Sequence, residues 1–256
     1  MTDRPLSGRH AVITGGGSGI GAAIADRLSV LGARLTLMAR SEERLRAKAQ
    51  ALGEAQAVAV DITDGDAVAA AFERARNHFG AVDILVNNAG VAEGIPFHKL
   101  DLATWRNTID VNLTGTFLCC RAVVEDMRAR KAGHIVNVAS TAGLIGYAYV
   151  TAYAAAKHGV VGLTRALALE LAKSGVTVNA VCPGYTETDI VKDAVANIMA
   201  KTGRSEAEAR AELTARNPQG RLVQPEEVAS AVAWLCLPEQ RSMTGQAIAV
   251  AGGEVM

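Results

Sequence analysis

Tyr153 and Lys157 stand four residues apart in Tyr153-Ala-Ala-Ala-Lys157, thirteen residues after Ser140. On a helix, both side chains leave one face. A phenol has a reference pKa of about 10, which makes it a poor acid or base near neutral pH. An ammonium beside it favours the phenolate and lowers that pKa. A serine hydroxyl nearby can hold the oxygen that gains or loses the proton. Three ordinary side chains thus suffice for acid/base chemistry on an alcohol or a carbonyl. Alone, such a pair is a weak signal, because surface helices produce it by chance.

A second motif lies near the N-terminus. The apolar run His10–Thr14 leads straight into Thr14-Gly15-Gly16-Gly17-Ser18-Gly19-Ile20-Gly21. Glycines let a backbone turn tightly and approach a pyrophosphate, whose charge then meets the free N–H groups of a helix N-terminus. Gly17-x-Gly19-x-x-Ala22 also satisfies the looser dinucleotide pattern, and no Gly-Lys-Ser/Thr follows to make a Walker loop. At the end of the next strand a carboxylate would read an adenosine ribose 2′-OH. Here the stretch is Met38-Ala39-Arg40-Ser41, with no acid at that place. The Arg40 guanidinium suits a ribose 2′-phosphate and can stack on adenine. The expected cofactor is therefore NADP(H), with NAD(H) as the second possibility. Asp61-Ile62, after the third strand, faces the adenine or forms an ordinary strand-end turn.

These motifs need elements to hold them. The patterning predicts strands at His10–Thr14, Arg34–Met38, Ala57–Val60, Ile84–Val86, His134–Val138, Thr177–Val181 and Ala247–Val250. Helices are expected at Gly19–Leu31, Glu42–Leu52, Asp64–His78, Leu102–Arg130, Thr151–Lys173, Ile190–Lys201, Glu206–Ala215 and Glu226–Leu235. Strands such as Ile84-Leu85-Val86 show little alternation, which fits parallel strands covered on both faces. The βαβ order predicts an α/β, doubly wound sheet. With no linker, repeat or low-complexity tail, a single domain over 1–256 is expected. No strand is expected between Pro183 and Pro225. The charged helical stretch there follows a strand's carboxyl end, where ligands bind in such sheets, so 186–216 reads as a substrate lid.

Composition narrows the function further. The 256 residues are half apolar, and 26 basic residues balance 26 acidic ones. No field of one sign is available to recruit nucleic acid or an anionic membrane. No apolar run is long enough to span a bilayer. Cys119, Cys120, Cys182 and Cys236 fit no zinc motif or small disulfide framework, and the five histidines show no ligand spacing, so no metal is assigned. A reducing, cytoplasmic setting is expected.

Taken together, the motifs resemble the short-chain dehydrogenase/reductase family along nearly the whole chain. Thr14-Gly15-x-x-x-Gly19-x-Gly21 looks like its cofactor turn, and Asn87-Asn88-Ala89-Gly90 like the stretch beside the nicotinamide. Asn112, Ser140, Tyr153 and Lys157 match the family's catalytic tetrad in order and spacing. Pro183-Gly184, with Thr186 and Thr188, looks like the segment that contacts the nicotinamide carboxamide. The resemblance implies a Rossmann-type sheet of seven parallel strands, a nicotinamide dinucleotide, and hydride transfer to or from a secondary alcohol carbon. It implies that Lys157 also holds the nicotinamide ribose, that Asn112 holds a water leading from Lys157 to solvent, and that the protein is a homotetramer. The helix Thr151–Lys173 is apolar nearly all round, which calls for cover on two sides. Two departures stand out: Ser18 where some NADP-preferring members carry a basic residue, and Ala251 where many carry aspartate.

Ala142, Tyr147 and Tyr185, with Ser140 and Tyr153, are candidate substrate contacts. The segment Asn217–Pro225 resembles aromatic-polyketide ketoreductases, and the general pattern resembles 3-hydroxyacyl-CoA dehydrogenases and 3-oxoacyl-carrier-protein reductases. A 3-hydroxyacyl or 3-oxoacyl thioester, or a cyclic ketone of similar shape, is the expected substrate. The alternative from another class is a non-catalytic nucleotide-binding partner subunit. Such a subunit would be expected to lack Tyr153, Lys157 or the glycines.

Overall fold

A computed structural model of the protein describes residues 4–256. Seven parallel strands form one sheet in the order β3-β2-β1-β4-β5-β6-β7. They are β1 His10–Thr14, β2 Arg34–Ala39, β3 Ala55–Ala59, β4 Ile84–Asn87, β5 Gly133–Val138, β6 Val176–Pro183 and β7 Ala247–Val250. The helices are α1 Gly19–Val30, α2 Glu42–Leu52, α3 Gly65–Phe79, α4 Leu102–Ile109, α5 Gly115–Arg130, α6 Thr151–Leu171, α7 Asp189–Thr202, α8 Glu206–Thr214 and α9 Pro225–Leu235.

Both faces of the sheet are buried, which explains the missing alternation. Ala11 and Ile13 of β1 pack with Ile24 and Leu28 of α1 and Val228 and Val232 of α9. Val12, between them in sequence, faces the other way and joins Phe72 of α3, Val123 and Met127 of α5 and Leu171 of α6. Phe72 is fully buried, and cutting such a ring back to alanine costs about 3–5 kcal/mol. Local signals agree with this packing. The Asp64 carboxylate caps α3 by accepting from the Asp66 and Ala67 N–H groups, each at 3.0 Å. Pro225 opens α9 at a position where no amide proton is needed.

The sequence order reverses between β1 and β4, and that reversal opens a crevice at the strands' carboxyl ends. Thr14 and Asn88 fasten its two sides. The Thr14 Oγ1 accepts from the Asn88 N–H at 3.0 Å and the Ala89 N–H at 3.1 Å. The Asn88 amide donates back to the Thr14 carbonyl at 3.1 Å and the Gly15 carbonyl at 3.2 Å.

Two expectations need correction. Leu102–Arg130 is not one helix: a π-helical segment, Asp110–Thr114, separates α4 from α5. Wider turns of this kind mark functional sites more often than regular helix does. The third strand starts earlier, at Ala55, where Leu35 of β2 pairs with it. Between Pro183 and Pro225 the described residues form no strand, as expected, and an isolated bridge joins Thr186 to Val223. It ties the start of the α7–α8 segment to its end. That segment has an apolar cluster of its own, in which Val191 and Val195 of α7 meet Ala209 and Leu213 of α8.

Candidate active site

The crevice deepens into a cavity of about 290 Å³. Of the site residues singled out from the sequence, all but Thr14, Gly17, Gly21, Arg40, Asp61 and Ile62 line it. Its far wall also includes Val91, Ala92, Thr141, Val150, Ile190 and Val191, which the motifs did not reveal.

At one end lies the glycine turn. Gly15 and Gly19 have φ of +65° and +51°, a region that residues with a Cβ rarely adopt. A Cβ on Gly21 would overlap the Gly15 carbonyl oxygen, so α1 packs directly onto the turn. Ser18 occupies the N-cap position of α1 without a side-chain capping bond, which leaves its hydroxyl available for another partner. Thr188 closes over the turn: a Cβ on Gly19 would stand 3.2 Å from its methyl carbon. This narrow cradle at a helix N-terminus fits the pyrophosphate of a dinucleotide.

Outside the cavity the adenosine candidates divide. Arg40 is exposed at the end of β2 and forms no ion pair among the described residues. The Asp61 carboxylate accepts from the Thr63 N–H at 3.0 Å and the Thr63 hydroxyl at 2.8 Å. These bonds, more than the nearby Arg40 charge, hold it below the usual carboxylate range. Ile62 is buried against Gly115, in the core. Asp61-Ile62 thus has the hydrogen bonds and packing of a strand-end turn. Arg44 was not singled out; it reaches Asp189 at 3.8 Å, beside the glycine turn.

At the other end, β5 and α6 converge. Ser140 follows β5 by two residues, and its Oγ accepts from the Ala142 N–H at 3.1 Å, which fixes the tight turn Thr141–Gly143. A Cβ on Gly143 would stand 2.7 Å from the Lys157 carbonyl oxygen, so only glycine lets this turn approach α6. Tyr153 and Lys157 project from α6 toward Ser140. The Lys157 ammonium lies 5.5 Å from the Tyr153 ring centroid and donates to the Val138 carbonyl at 2.9 Å.

The electrostatics differ from the simple expectation. Burial pushes the Tyr153 phenol up to about 12, with the Ser140 hydroxyl acting in the opposite sense. Burial also pulls Lys157 down to about 8. In this state the lysine does not bring the phenol below its ordinary value, because the cavity disfavours both charges. Asn112 lines the same cavity. Its amide donates to the Val91 carbonyl and the Thr108 carbonyl, each at 2.9 Å, and accepts from the Val91 N–H at 3.3 Å. Its side chain thus ties the loop after β4 to α4, and its backbone carbonyl accepts from Thr116 Oγ1 at 2.9 Å.

The end of the cavity away from the glycine turn contains a group that no motif announced. The Tyr147 hydroxyl lies 2.7 Å from Glu254 Oε1 and 2.8 Å from Thr141 Oγ1. The Arg216 guanidinium lies 4.9 Å from the Tyr147 ring centroid. Glu254 comes from beyond β7, and no local pattern connects it with residue 147.

A glycine cradle at the reversal of a parallel sheet, facing a serine, a tyrosine and a lysine, defines a dinucleotide-binding oxidoreductase of alcohols and ketones. A family model described as short chain dehydrogenase matches residues 9–198. The chain belongs to the short-chain dehydrogenase family, whose members bind NAD(P) and act on CH–OH groups. It is 43% identical over 249 residues to cis-4-hydroxycyclohexanecarboxylate dehydrogenase of Sinomonas cyclohexanicum, covering 96% of each chain. It is 38% identical to the 3-oxoacyl-[acyl-carrier-protein] reductase FabG of Vibrio cholerae, covering 98% of this chain and 99% of that one. A crystal structure of an actinorhodin polyketide ketoreductase variant with NADPH superposes with a TM-score of 0.93 at 41% identity, covering 98% of both chains.

Proposed function

We propose that the protein is an NADPH-preferring ketoreductase, working on a 3-oxoacyl thioester or a cyclic ketone of similar shape, and reversible toward the alcohol. The observation that carries this reading is the convergence of Ser140, Tyr153 and Lys157 on one cavity with the glycine turn. Gly15, Ser18, Gly19 and the N-terminus of α1 would hold the pyrophosphate. Asn88, Ala89, Gly90, Pro183, Gly184, Thr186 and Thr188 would border the nicotinamide. A nicotinamide held there would supply or take the hydride.

The chain's own residues do the rest. Ser140 binds the substrate oxygen and aims it at Tyr153. Tyr153 donates its proton to that oxygen in the reducing direction and takes it back in the oxidising one. The phenol's upward shift favours the protonated form needed for reduction. Lys157 places positive charge beside the oxygen as negative charge develops there. Asn112 fixes Val91, at the wall opposite α6.

We assign 186–216 as a substrate lid, supported by its own apolar cluster and by Ile190 and Val191 in the cavity wall. We assign a homotetramer with α6 at a subunit contact. Leu169 of α6 is 81% exposed, and Ala155 and Ala166 lie open as well. Light scattering at micromolar concentration checks this; a monomeric mass overturns it. The function itself is tested with a panel of ketones, β-keto thioesters and secondary alcohols, followed at the nicotinamide absorbance with both cofactors. Turnover of β-keto thioesters or cyclic ketones supports the reading, and inactivity toward all of them overturns it.

A further inference from the structure

The Tyr147 hydroxyl has one proton and two oxygen neighbours, Glu254 at 2.7 Å and Thr141 at 2.8 Å. An ionised carboxylate only accepts, so the proton goes to Glu254. The Thr141 hydroxyl must then donate to Tyr147. The chain therefore runs in one direction, from Thr141 through Tyr147 to Glu254. Thr141 and Tyr147 both line the cavity. With both protons used along the chain, they offer a bound molecule only lone pairs, backed by a negative charge.

The carboxylate borders the cavity. Gly184 lines the cavity, and a Cβ on it would stand 2.9 Å from Glu254 Oε2. Among the described residues Glu254 has no ion-pair partner within 4.0 Å. The nearby Arg216 cation lies over the Tyr147 ring, which in turn meets the Tyr185 ring edge-on at 6.4 Å. Burial, reinforced by the Glu254 charge, pushes both phenols up, so they stay protonated and the chain keeps its direction at neutral pH.

We infer that the Thr141–Tyr147–Glu254 chain sets specificity by admitting ketones and alcohols that are neutral or hydrogen-bond-donating at this end of the cavity, and by rejecting those with a carboxylate there. This rests on the cavity's being the alcohol–ketone site. Glu254 acts through Tyr147 and through its field, so it is a positioning residue. Two like charges at cavity distances repel strongly enough to change affinity by about tenfold or more. The Sinomonas relative is named for a substrate that carries a carboxylate, and the inference sets this chain apart from it.

The test is calorimetric binding to the protein loaded with NADP+, using cyclohexanol and 4-hydroxycyclohexanecarboxylate as probes. Cyclohexanol should bind at least about tenfold more tightly than the carboxylate. Glu254→Gln keeps an acceptor for Tyr147 but removes the charge. It should tighten the carboxylate by about tenfold and leave cyclohexanol within about twofold. An unchanged carboxylate affinity, or an equal change for both probes, overturns the inference. Tyr147→Phe gives a second reading. It should weaken 1,4-cyclohexanediol about fivefold, by removing its acceptor, without moving cyclohexanol; equal shifts overturn the inference. Turnover is measured separately. A protein that binds the probes in the expected ratio yet reduces no ketone sinks the proposed reaction and leaves the specificity chain standing.

Discussion

The Lys157 ammonium donates to the Val138 carbonyl at 2.9 Å, on the strand that two residues later presents Ser140. The end of β5 thus orients both the lysine and the serine against Tyr153. Lys157 is only 4% exposed, and its pKa is lowered to about 8 by burial. An ammonium held there costs stability. The unfolded chain has the ordinary value of 10.5, so the penalty is full below about pH 8 and fades as pH rises toward 10.5. Above that, both states are neutral and it vanishes. Lys157→Met should therefore stabilise the protein at pH 7 by about 1–3 kcal/mol, after allowing for the lost bond to Val138. Urea denaturation at pH 7 and pH 10.5 checks this. A variant less stable at pH 7, or a gain that does not shrink with pH, contradicts it. Activity should be lost in the same variant.

Tyr153→Phe keeps the ring and its packing and removes only the proton that the substrate oxygen must exchange. Turnover should fall by about 10²–10⁴-fold while cofactor affinity is held. Steady-state rates together with cofactor titration by fluorescence separate the two. Turnover within tenfold of the parent would remove Tyr153 from the mechanism.

Most of this site was legible because local chemistry demanded it. A strand followed by Gly15, Gly19 and Gly21 has few other structural uses, and Tyr153 and Lys157 share a helix face by arithmetic. The break in Leu102–Arg130 leaves no mark in the sequence, because a π segment keeps helical composition; only the wider turn at Asp110–Thr114 distinguishes it. The upward shift of Tyr153 is not legible in sequence, because pairing is visible as spacing, whereas desolvation depends on walls such as Val138 and Pro183 that come from elsewhere in the chain. Glu254 was invisible for the same reason. It lies 107 positions from Tyr147, and nothing local records the contact.

The π segment supports a prediction about Asn112. Its amide satisfies both the N–H and the carbonyl of Val91. Asn112→Leu should leave Val91 without these partners in a partly buried place and cost about 2–4 kcal/mol. Denaturation midpoints and faster hydrogen exchange at Val91 provide the check. A loss below about 0.5 kcal/mol would mean that water replaces the amide freely.

The cofactor preference turns on the end of β2. Ala39 offers no acceptor for a ribose 2′-OH, and Arg40 stands exposed and without an ion-pair partner among the described residues. An arginine–phosphate contact is charge-assisted and worth about 1.5–3 kcal/mol, or roughly ten- to a hundred-fold in affinity. NADPH should therefore be preferred over NADH, and the preference should shrink as salt screens the contact. Arg44 stands near the same turn but is drawn toward Asp189 at 3.8 Å, and Ser18 contributes no charge. Arg40 should therefore carry most of the discrimination. Ala39→Asp combined with Arg40→Ile supplies a ribose acceptor and repels the phosphate, so the order should reverse. The check is kcat/KM for each cofactor at two salt concentrations. Equal or better efficiency with NADH in the unmutated protein would leave Arg40 as a surface residue with no part in cofactor choice.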